Sequence, residues 1–370
     1  MITGGAGFIG SNLAAALQAD GDEVTVLDTL STQIHGTVPE NSALFQSLAG
    51  KARFLRGSVC DRDALHAALQ GQDAVVHLAA ETGTGQSMYQ VARYTDTNIG
   101  GTALLLDILG QEPHAVRRLV VASSRAVYGE GAYIGADGGT YCPPPRIEAD
   151  LRAGRFDVMQ AGTVLTSKPT REDARLHPSS VYGVTKLAQE QLVMTVCPLL
   201  GIEAVALRYQ NVYGPGQSLG NPYTGVLSNF SNLMMQASAV NIFEDGRESR
   251  DFVFVADAVD ATVLALRHGG AAGQVLNVGS GLPTSILDLA KELAKALESN
   301  ASLAVSGMYR LGDIRHNTAD LSKITALGFA PKVTLAAGIA RFAAWARAIG
   351  PVENGFAQSL IESQTRGVLK

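Results

Sequence analysis

The sequence predicts an α/β fold: a doubly wound parallel sheet with a smaller C-terminal lobe. Three observations carry this expectation. Strand-like and helical runs alternate through the first half, a glycine-rich turn opens the chain, and the rhythm loosens after Leu207 into Gly, Pro, Asn and Tyr-rich sequence around 211–221. At 370 residues the chain is long enough for a large α/β body and an appended lobe.

The strand-like runs are Val24–Leu27, Arg53–Leu55, Ala74–Leu78, Arg118–Ala122 and Ala204–Leu207. Helical spacing begins near Phe8, Asp63, Gly101 and Val181, between those runs, as the crossovers of a parallel sheet require. Two later runs, Asp251–Val255 and Gln274–Val278, also read as strands, so the chain is expected to return to the sheet before its final helices. The expected division is a sheet domain over 1–207 with a return segment at about 251–281, and a substrate-facing lobe over 208–250 and 282–370. Residues 131–175, with Pro143-Pro144-Pro145 and no clear periodicity, read as an insertion.

Apolar residues make up 46% of the chain and charged ones 17%, which excludes intrinsic disorder as the main state. The 29 basic and 34 acidic residues leave a net charge of -5, so no basic field exists to hold nucleic acid or an acidic membrane surface. The apolar run Val333–Ile349 contains Arg341 and Arg347 and reads as an amphipathic helix, not a membrane span. Cys60, Cys142 and Cys197 are far apart, with neither a disulfide framework nor a thiolate metal spacing, which fits a reducing compartment. The opening residues show no secretory leader, and a cytoplasmic location is expected. His177 and His316 lack companions at ligand spacing, so they read as loop or polar-contact residues and no metal site is expected.

Gly4-Gly5-Ala6-Gly7-Phe8-Ile9-Gly10 places glycines where a tight turn must bring backbone N–H groups and a helix start against a pyrophosphate. Alone, such a run is a weak signal, because a turn that only caps a strand can also carry it. Asp28, 18 residues beyond Gly10 at the end of Val24–Leu27, adds a carboxylate that can accept both ribose hydroxyls and repel a 2′-phosphate. No Lys or Arg follows in 29–35, so NAD is expected and NADP is not. Only Met1 and Ile2 precede Thr3, so the strand leading into this turn is either unusually short or starts upstream.

Tyr182-Gly183-Val184-Thr185-Lys186 sets a phenol and an ammonium one helical turn apart on one face. A neighbouring ammonium is expected to lower the phenol from its ordinary value of about 10 and make it a usable acid–base. The same spacing also arises in plain exposed helices, so context decides. Ser123-Ser124-Arg125-Ala126-Val127-Tyr128-Gly129 supplies it by following the apolar run Arg118–Ala122, where parallel sheets bind ligands.

With these motifs together, the chain resembles the extended short-chain dehydrogenase/reductase family, in its nucleotide-sugar epimerase branch. The resemblance spans nearly the whole chain. It includes His77-Leu78-Ala79-Ala80, Asn98 in 97–102, Arg208-Tyr209-Gln210-Asn211-Val212-Tyr213-Gly214-Pro215 and Arg250-Asp251-Phe252. It implies a Rossmann-type sheet domain, a substrate-binding C-terminal lobe and an NAD cofactor held by Gly4, Gly7, Phe8, Ile9, Gly10, Asp28, Leu78, Ala79, Ala80, Asn98, Tyr182 and Lys186. Relatives often bind adenine through an acid at the place of Ser58; here the backbone at Val59 is expected instead. Ser124 would hydrogen-bond the reacting hydroxyl, Tyr182 exchange its proton and Lys186 hold the nicotinamide ribose. Arg125, Asn211, Arg250, Arg310 and Asp313 would face the substrate, with arginines bridging its diphosphate.

Dehydratases and decarboxylases of the family carry acidic residues directly after the hydroxyl residue, whereas this chain has Arg125 and Ala126. Epimerisation at C4 through a 4-keto sugar is the leading expectation. The insertion, with Glu81–Tyr89 and the Ser124 loop, is similar to the branch that interconverts dTDP-L-rhamnose and dTDP-6-deoxy-L-talose. A 4-ketoreductase, a UDP-hexose 4-epimerase and, more remotely, a non-catalytic dinucleotide sensor are the alternatives. The resemblance also implies a homodimer paired through helices around 102–109 and 184–197, and leaves the insertion as either a lid or an interface element.

Overall fold

The computed structural model describes residues 1–223, 225–353 and 355–370. Outside residues 131–175 the strands begin with β1 (Ile2–Thr3), β2 (Thr25–Asp28), β3 (Arg53–Arg56), β4 (Ala74–His77), β5 (Arg118–Ser124) and β6 (Glu203–Tyr209). They continue with β7 (Asn211–Tyr213), β8 (Val240–Ile242), β9 (Ser249–Phe254), β10 (Val275–Val278), β11 (Pro283–Ser285), β12 (Leu303–Val305) and β13 (His316–Asn317). The longer helices are α1 (Phe8–Ala19), α2 (Arg62–Leu69), α3 (Gly101–Gln111), α4 (Val181–Val196), α5 (Val226–Met235), α6 (Val255–Arg267), α7 (Ile286–Leu297), α8 (Leu335–Ile349) and α9 (Phe356–Thr365).

Seven strands form the large sheet in the order β3-β2-β1-β4-β5-β6-β10, and every pairing in it is parallel. The winding runs outward from β1 to β3, then restarts at β4 on the other side of β1. This reversal opens a crevice between β1 and β4 at the C-terminal strand ends, the place where such sheets bind ligands.

The strand period of two sorts the apolar side chains between two layers. On β5, Val120 and Ala122 enter the core shared with α1 and α6, while Leu119 and Val121 enter the one shared with α2, α3 and α4. On β6, Val205 and Leu207 divide from Ala204 and Ala206 in the same way. A fully buried Val or Leu contributes roughly 1.5–3 kcal/mol over an exposed one, which is why these strands read as unbroken apolar runs.

One expected placement is corrected. The run Asp251–Val255 does not rejoin the large sheet: it forms β9, which pairs in parallel with β7 and β13 and antiparallel with β11. The residues are apolar enough for either sheet, and pairing with β7, just beyond β6, decides the outcome. Only β10 returns to the large sheet, beside β6. The core on the α1 side continues into the C-terminal lobe through Phe230, Leu289, Leu293 and Phe342 on α5, α7 and α8.

Residues 131–175 carry short structure of their own. Tyr133–Ile134 pairs with Thr140–Tyr141 and with Thr166–Ser167, and Met159–Gln160 pairs with Thr163–Val164. Tyr133, Val158 and Leu165 form a small apolar cluster beneath them. Among the described residues no helix is long and apolar enough to cross a membrane.

Candidate active site

The chain leaves β1 through a turn that only glycine can make. Gly4 has φ +66°, and a Cβ there would lie 2.8 Å from the backbone nitrogen of Ala79. A Cβ on Gly10 would lie 2.5 Å from Gly5 Cα, which packs the first turn of α1 onto the strand exit. The turn therefore touches the loop after β4, which carries Leu78, Ala79 and Ala80. Gly7 caps α1 without any side-chain hydrogen bond, and the first helical turn, from Phe8 through Ile9 and Gly10, has no acidic residue. The positive end of the helix is thus left for an anion.

Asp28 ends β2 and clamps this turn: Oδ2 accepts from Ala6 N at 3.0 Å and Oδ1 from Leu30 N at 2.9 Å. Each oxygen keeps lone-pair capacity for a ribose hydroxyl. Glycines that a side chain would overfill, an uncapped helix start and an acid at the tip of β2 fit a dinucleotide lacking a 2′-phosphate. Val59 is buried and packs on α3, where a Cβ at Gly101 would lie 2.5 Å from its Cγ2. Ser58 Oγ accepts from Cys60 N.

Asn98 acts as a tie. Its Oδ1 accepts from Glu81 N at 2.7 Å, and its Nδ2 donates to Glu81 O and to Thr185 Oγ1. This links the loop after β4 to α4, on which Tyr182 and Lys186 lie. Ser180 caps α4 by accepting from Gly183 N, and Tyr182 N donates to Ser87 Oγ. A Cβ on Gly183 would lie 2.6 Å from Ala126 O, so glycine lets the helix approach the loop that follows β5.

That approach sets the Ser124 hydroxyl, which accepts from Ala126 N at 3.1 Å, beside the Tyr182 phenol. The expected lowering of the phenol is corrected. Burial pushes Tyr182 upward, with the Ser124 hydroxyl and the Arg125 guanidinium pulling the other way. Burial also pushes Lys186 down to about 7, opposed by Glu190. Desolvation outweighs the pairing that the motif alone suggests.

Beyond Ser124 lies a group of guanidinium ions. Arg125 Nε donates to Asn211 Oδ1 at 2.7 Å, and burial and Arg250 hold Arg125 down to about 10. Arg250, Arg310, Arg125 and Arg146 together hold the Asp313 carboxyl below its usual range, against its burial. Arg250 is committed to protein acceptors: its Nη atoms donate to Ser249 O, Arg315 O, Ile314 O and Asp313 Oδ1. Arg310 lies over the Phe243 ring, and its buried Nε has no hydrogen-bond partner among the described residues.

The expected site residues thus fall into two groups, one around the cradle at β1 and β4 and one beyond β5, where Arg125, Asn211, Arg250 and Asp313 are linked by hydrogen bonds or charge. Sequence reading missed several buried groups. Gln189 accepts from Lys186 Nζ at 2.7 Å, and Glu190 binds Arg208 through both oxygens while accepting from Ser123 Oγ. The four-residue step from Lys186 to Glu190 on one helix face was the available signal. His316 meets Ser249 Oγ through Nδ1 at 2.8 Å.

A cradle for a dinucleotide at the switch of a doubly wound sheet, beside a Ser, Tyr and Lys set, defines a nicotinamide-dependent enzyme class. The model of the NAD dependent epimerase/dehydratase family matches residues 1–279. The chain belongs to this family, in the extended short-chain dehydrogenase/reductase group; it is an enzyme of the epimerase type, with NAD as its cofactor. It is 40% identical over 348 residues to a dTDP-L-rhamnose 4-epimerase of Burkholderia thailandensis, covering 93% of this chain and 94% of the relative. It is 30% identical to a dTDP-glucose 4,6-dehydratase of Streptomyces niveus, over 94% of this chain and 92% of that one. A UDP-glucuronic acid 4-epimerase from Bacillus cereus, solved with UDP-glucuronic acid and NAD, superposes with a TM-score of 0.77 at 28% identity, covering 94% and 98% of the two chains.

Proposed function

We propose that this protein is a 4-epimerase of a nucleoside-diphosphate 6-deoxyhexose, interconverting dTDP-L-rhamnose and dTDP-6-deoxy-L-talose through a 4-keto sugar. One observation carries the reading: Ser124 and Tyr182 lie side by side, and the two positions after Ser124 are Arg125 and Ala126, where an elimination would need acids. The family contains dehydratases, so membership alone does not choose between reactions. Loss of water or CO2 needs a second acid–base group at that spot, whereas oxidation and re-reduction of one carbon needs a single proton carrier. The 40% identity to a rhamnose-nucleotide epimerase of matching length supports the same substrate.

NAD, held by the glycine turn at Gly4, Gly7 and Gly10 and by Asp28, would supply the oxidation of C4 and the reduction that reverses it. Tyr182 takes the O4 proton and gives it back, with Ser124 hydrogen-bonding that oxygen. Lys186 would hold the nicotinamide ribose, and Asn98 ties α4 to the loop after β4. Arg125, Arg310 and Asn211 hold the diphosphate, with Arg250 and Asp313 ordering them. Binding fixed at the remote phosphates lets the hexose present either face. Two copies pair through α3 and α4, whose Val184 is 49% exposed.

The reading is tested by incubating the purified protein with a small panel of dTDP-, UDP- and GDP-sugars and following the sugar signals by NMR. Inversion at C4 is expected for the dTDP-6-deoxyhexose. Conversion of UDP-glucose in preference would move the assignment to a UDP-hexose epimerase, and steady consumption of NADPH would make the protein a reductase.

A further inference from the structure

Residues 131–175 are fastened to the cationic pocket by buried charge. Arg146, with its side chain 5% exposed, donates from Nε to Glu130 Oε1 at 3.0 Å and grips Glu244 through both Nη atoms at 2.8 Å. Its Nη2 also donates to the backbone oxygen of Asp313 at 3.0 Å. Glu130 Oε2 accepts from Arg315 N at 2.7 Å, and Arg315, fully buried, binds Asp157 and Asp245. The far end of the segment is also held: Arg208 donates to Glu172 O at 2.9 Å, and Thr170 pairs by backbone with Thr318 and Asp320.

A segment fixed at both ends by buried bonds is not built to open. Nor is a buried ion network an efficient source of stability, because desolvation offsets most of the attraction. What such a network does supply is fixed geometry. The geometry it fixes is that of Asp313, whose Oδ1 accepts from Arg250 Nη2 at 3.1 Å and whose charge lies among Arg250, Arg310 and Arg125. Three guanidinium ions repel one another, and their spacing depends on where that carboxylate is held.

We propose that the segment is a rigid brace for the diphosphate pocket, with Arg146 the positioning residue that sets Asp313 and, through it, the arginine cluster. The inference rests on reading that pocket as the nucleotide-sugar site. Arg146 touches no substrate in this account, so its loss should weaken binding of the nucleotide and spare the chemistry at C4.

The test uses the whole enzyme and its Arg146→Met variant. It measures the Kd of dTDP by calorimetry, KM and kcat for dTDP-L-rhamnose, and bound NAD after denaturation. The expected result is a rise of about tenfold in both Kd and KM, a kcat within about threefold and unchanged NAD, as follows when one partner of a buried charged network is removed. Glu130→Gln, which keeps the shape and removes one charge, should move the same constants in the same direction by less; it serves if the first variant does not fold. Folded variants that bind dTDP within twofold of wild type overturn the brace, as does a parallel loss of NAD and kcat. If the wild-type enzyme itself binds neither dTDP nor UDP, the nucleotide-sugar reading falls, and the inference falls with it.

Discussion

Lys186 Nζ donates to Gln189 Oε1 at 2.7 Å, and Gln189 carries the contact onward to the floor of the sheet. Its Nε2 donates to Thr102 Oγ1 at 2.8 Å; Thr102 Oγ1 lies 2.9 Å from His77 Nε2, and His77 Nδ1 lies 2.7 Å from Thr3 Oγ1. The lysine is thereby tied to β4 and β1, the two strands that border the cofactor crevice.

This tie makes stability depend on acid. Burial, assisted by Lys186, pushes His77 down to about 3 from 6.5, so between those values the unfolded chain binds a proton that the folded one does not. Stability attributable to His77 therefore rises with pH through that window and is lost as pH falls, by at most about 1.4 kcal/mol per unit. Denaturant titrations from pH 7 to pH 4 should show a shallower loss for His77→Gln than for wild type. Lys186 acts with the same sign between about 7 and 10.5.

Tyr182→Phe removes the proton carrier and leaves the helix and its caps intact. Turnover should fall by ~10²–10⁴, while the NAD released on denaturation stays at the wild-type ratio. Unchanged turnover would reject the assigned acid–base.

Asp28 closes the cradle from β2, with one backbone N–H on each oxygen. In Asp28→Asn, one of those donors must face an amide NH2. Co-purified NAD should drop, and the NAD Kd should rise by about tenfold, corresponding to ~1.4 kcal/mol. Gly10→Ala, whose new Cβ would meet backbone at 2.5 Å, should lose NAD and also lower the melting temperature.

Glu190 pairs with Arg208 at 2.6 Å, both nearly fully buried, and faces Lys186 as well. Glu190→Ala leaves an uncompensated buried guanidinium and should cost about 3–5 kcal/mol of unfolding free energy. Arg208→Met in the same background should recover part of that loss, measured by a double-mutant cycle.

The legible parts of this molecule were those governed by local rules. Gly4 and Gly10 announce a turn because a side chain at either would meet backbone, and the unbroken apolar run Leu119–Ala122 announces a strand buried on both faces. Tyr182 and Lys186 show their relationship through helical spacing. Contacts made across the fold left no such trace. Arg146 meets Glu244 and Asp313 from an aperiodic loop, and nothing periodic marks that pairing. The commitment of Arg250 to backbone oxygens of Ile314 and Arg315 depends on β13 lying beside β9. The upward push on Tyr182 arises from burial, which a motif does not encode.

The most direct measurement adds dTDP-L-rhamnose to the purified enzyme without further coenzyme, following the configuration at C4 by proton NMR and the nicotinamide absorbance in the same sample. An equilibrium mixture with the C4 epimer and no net change in absorbance is expected. Unaltered dTDP-L-rhamnose, or product formed in step with net oxidation or reduction of nicotinamide, would contradict that expectation.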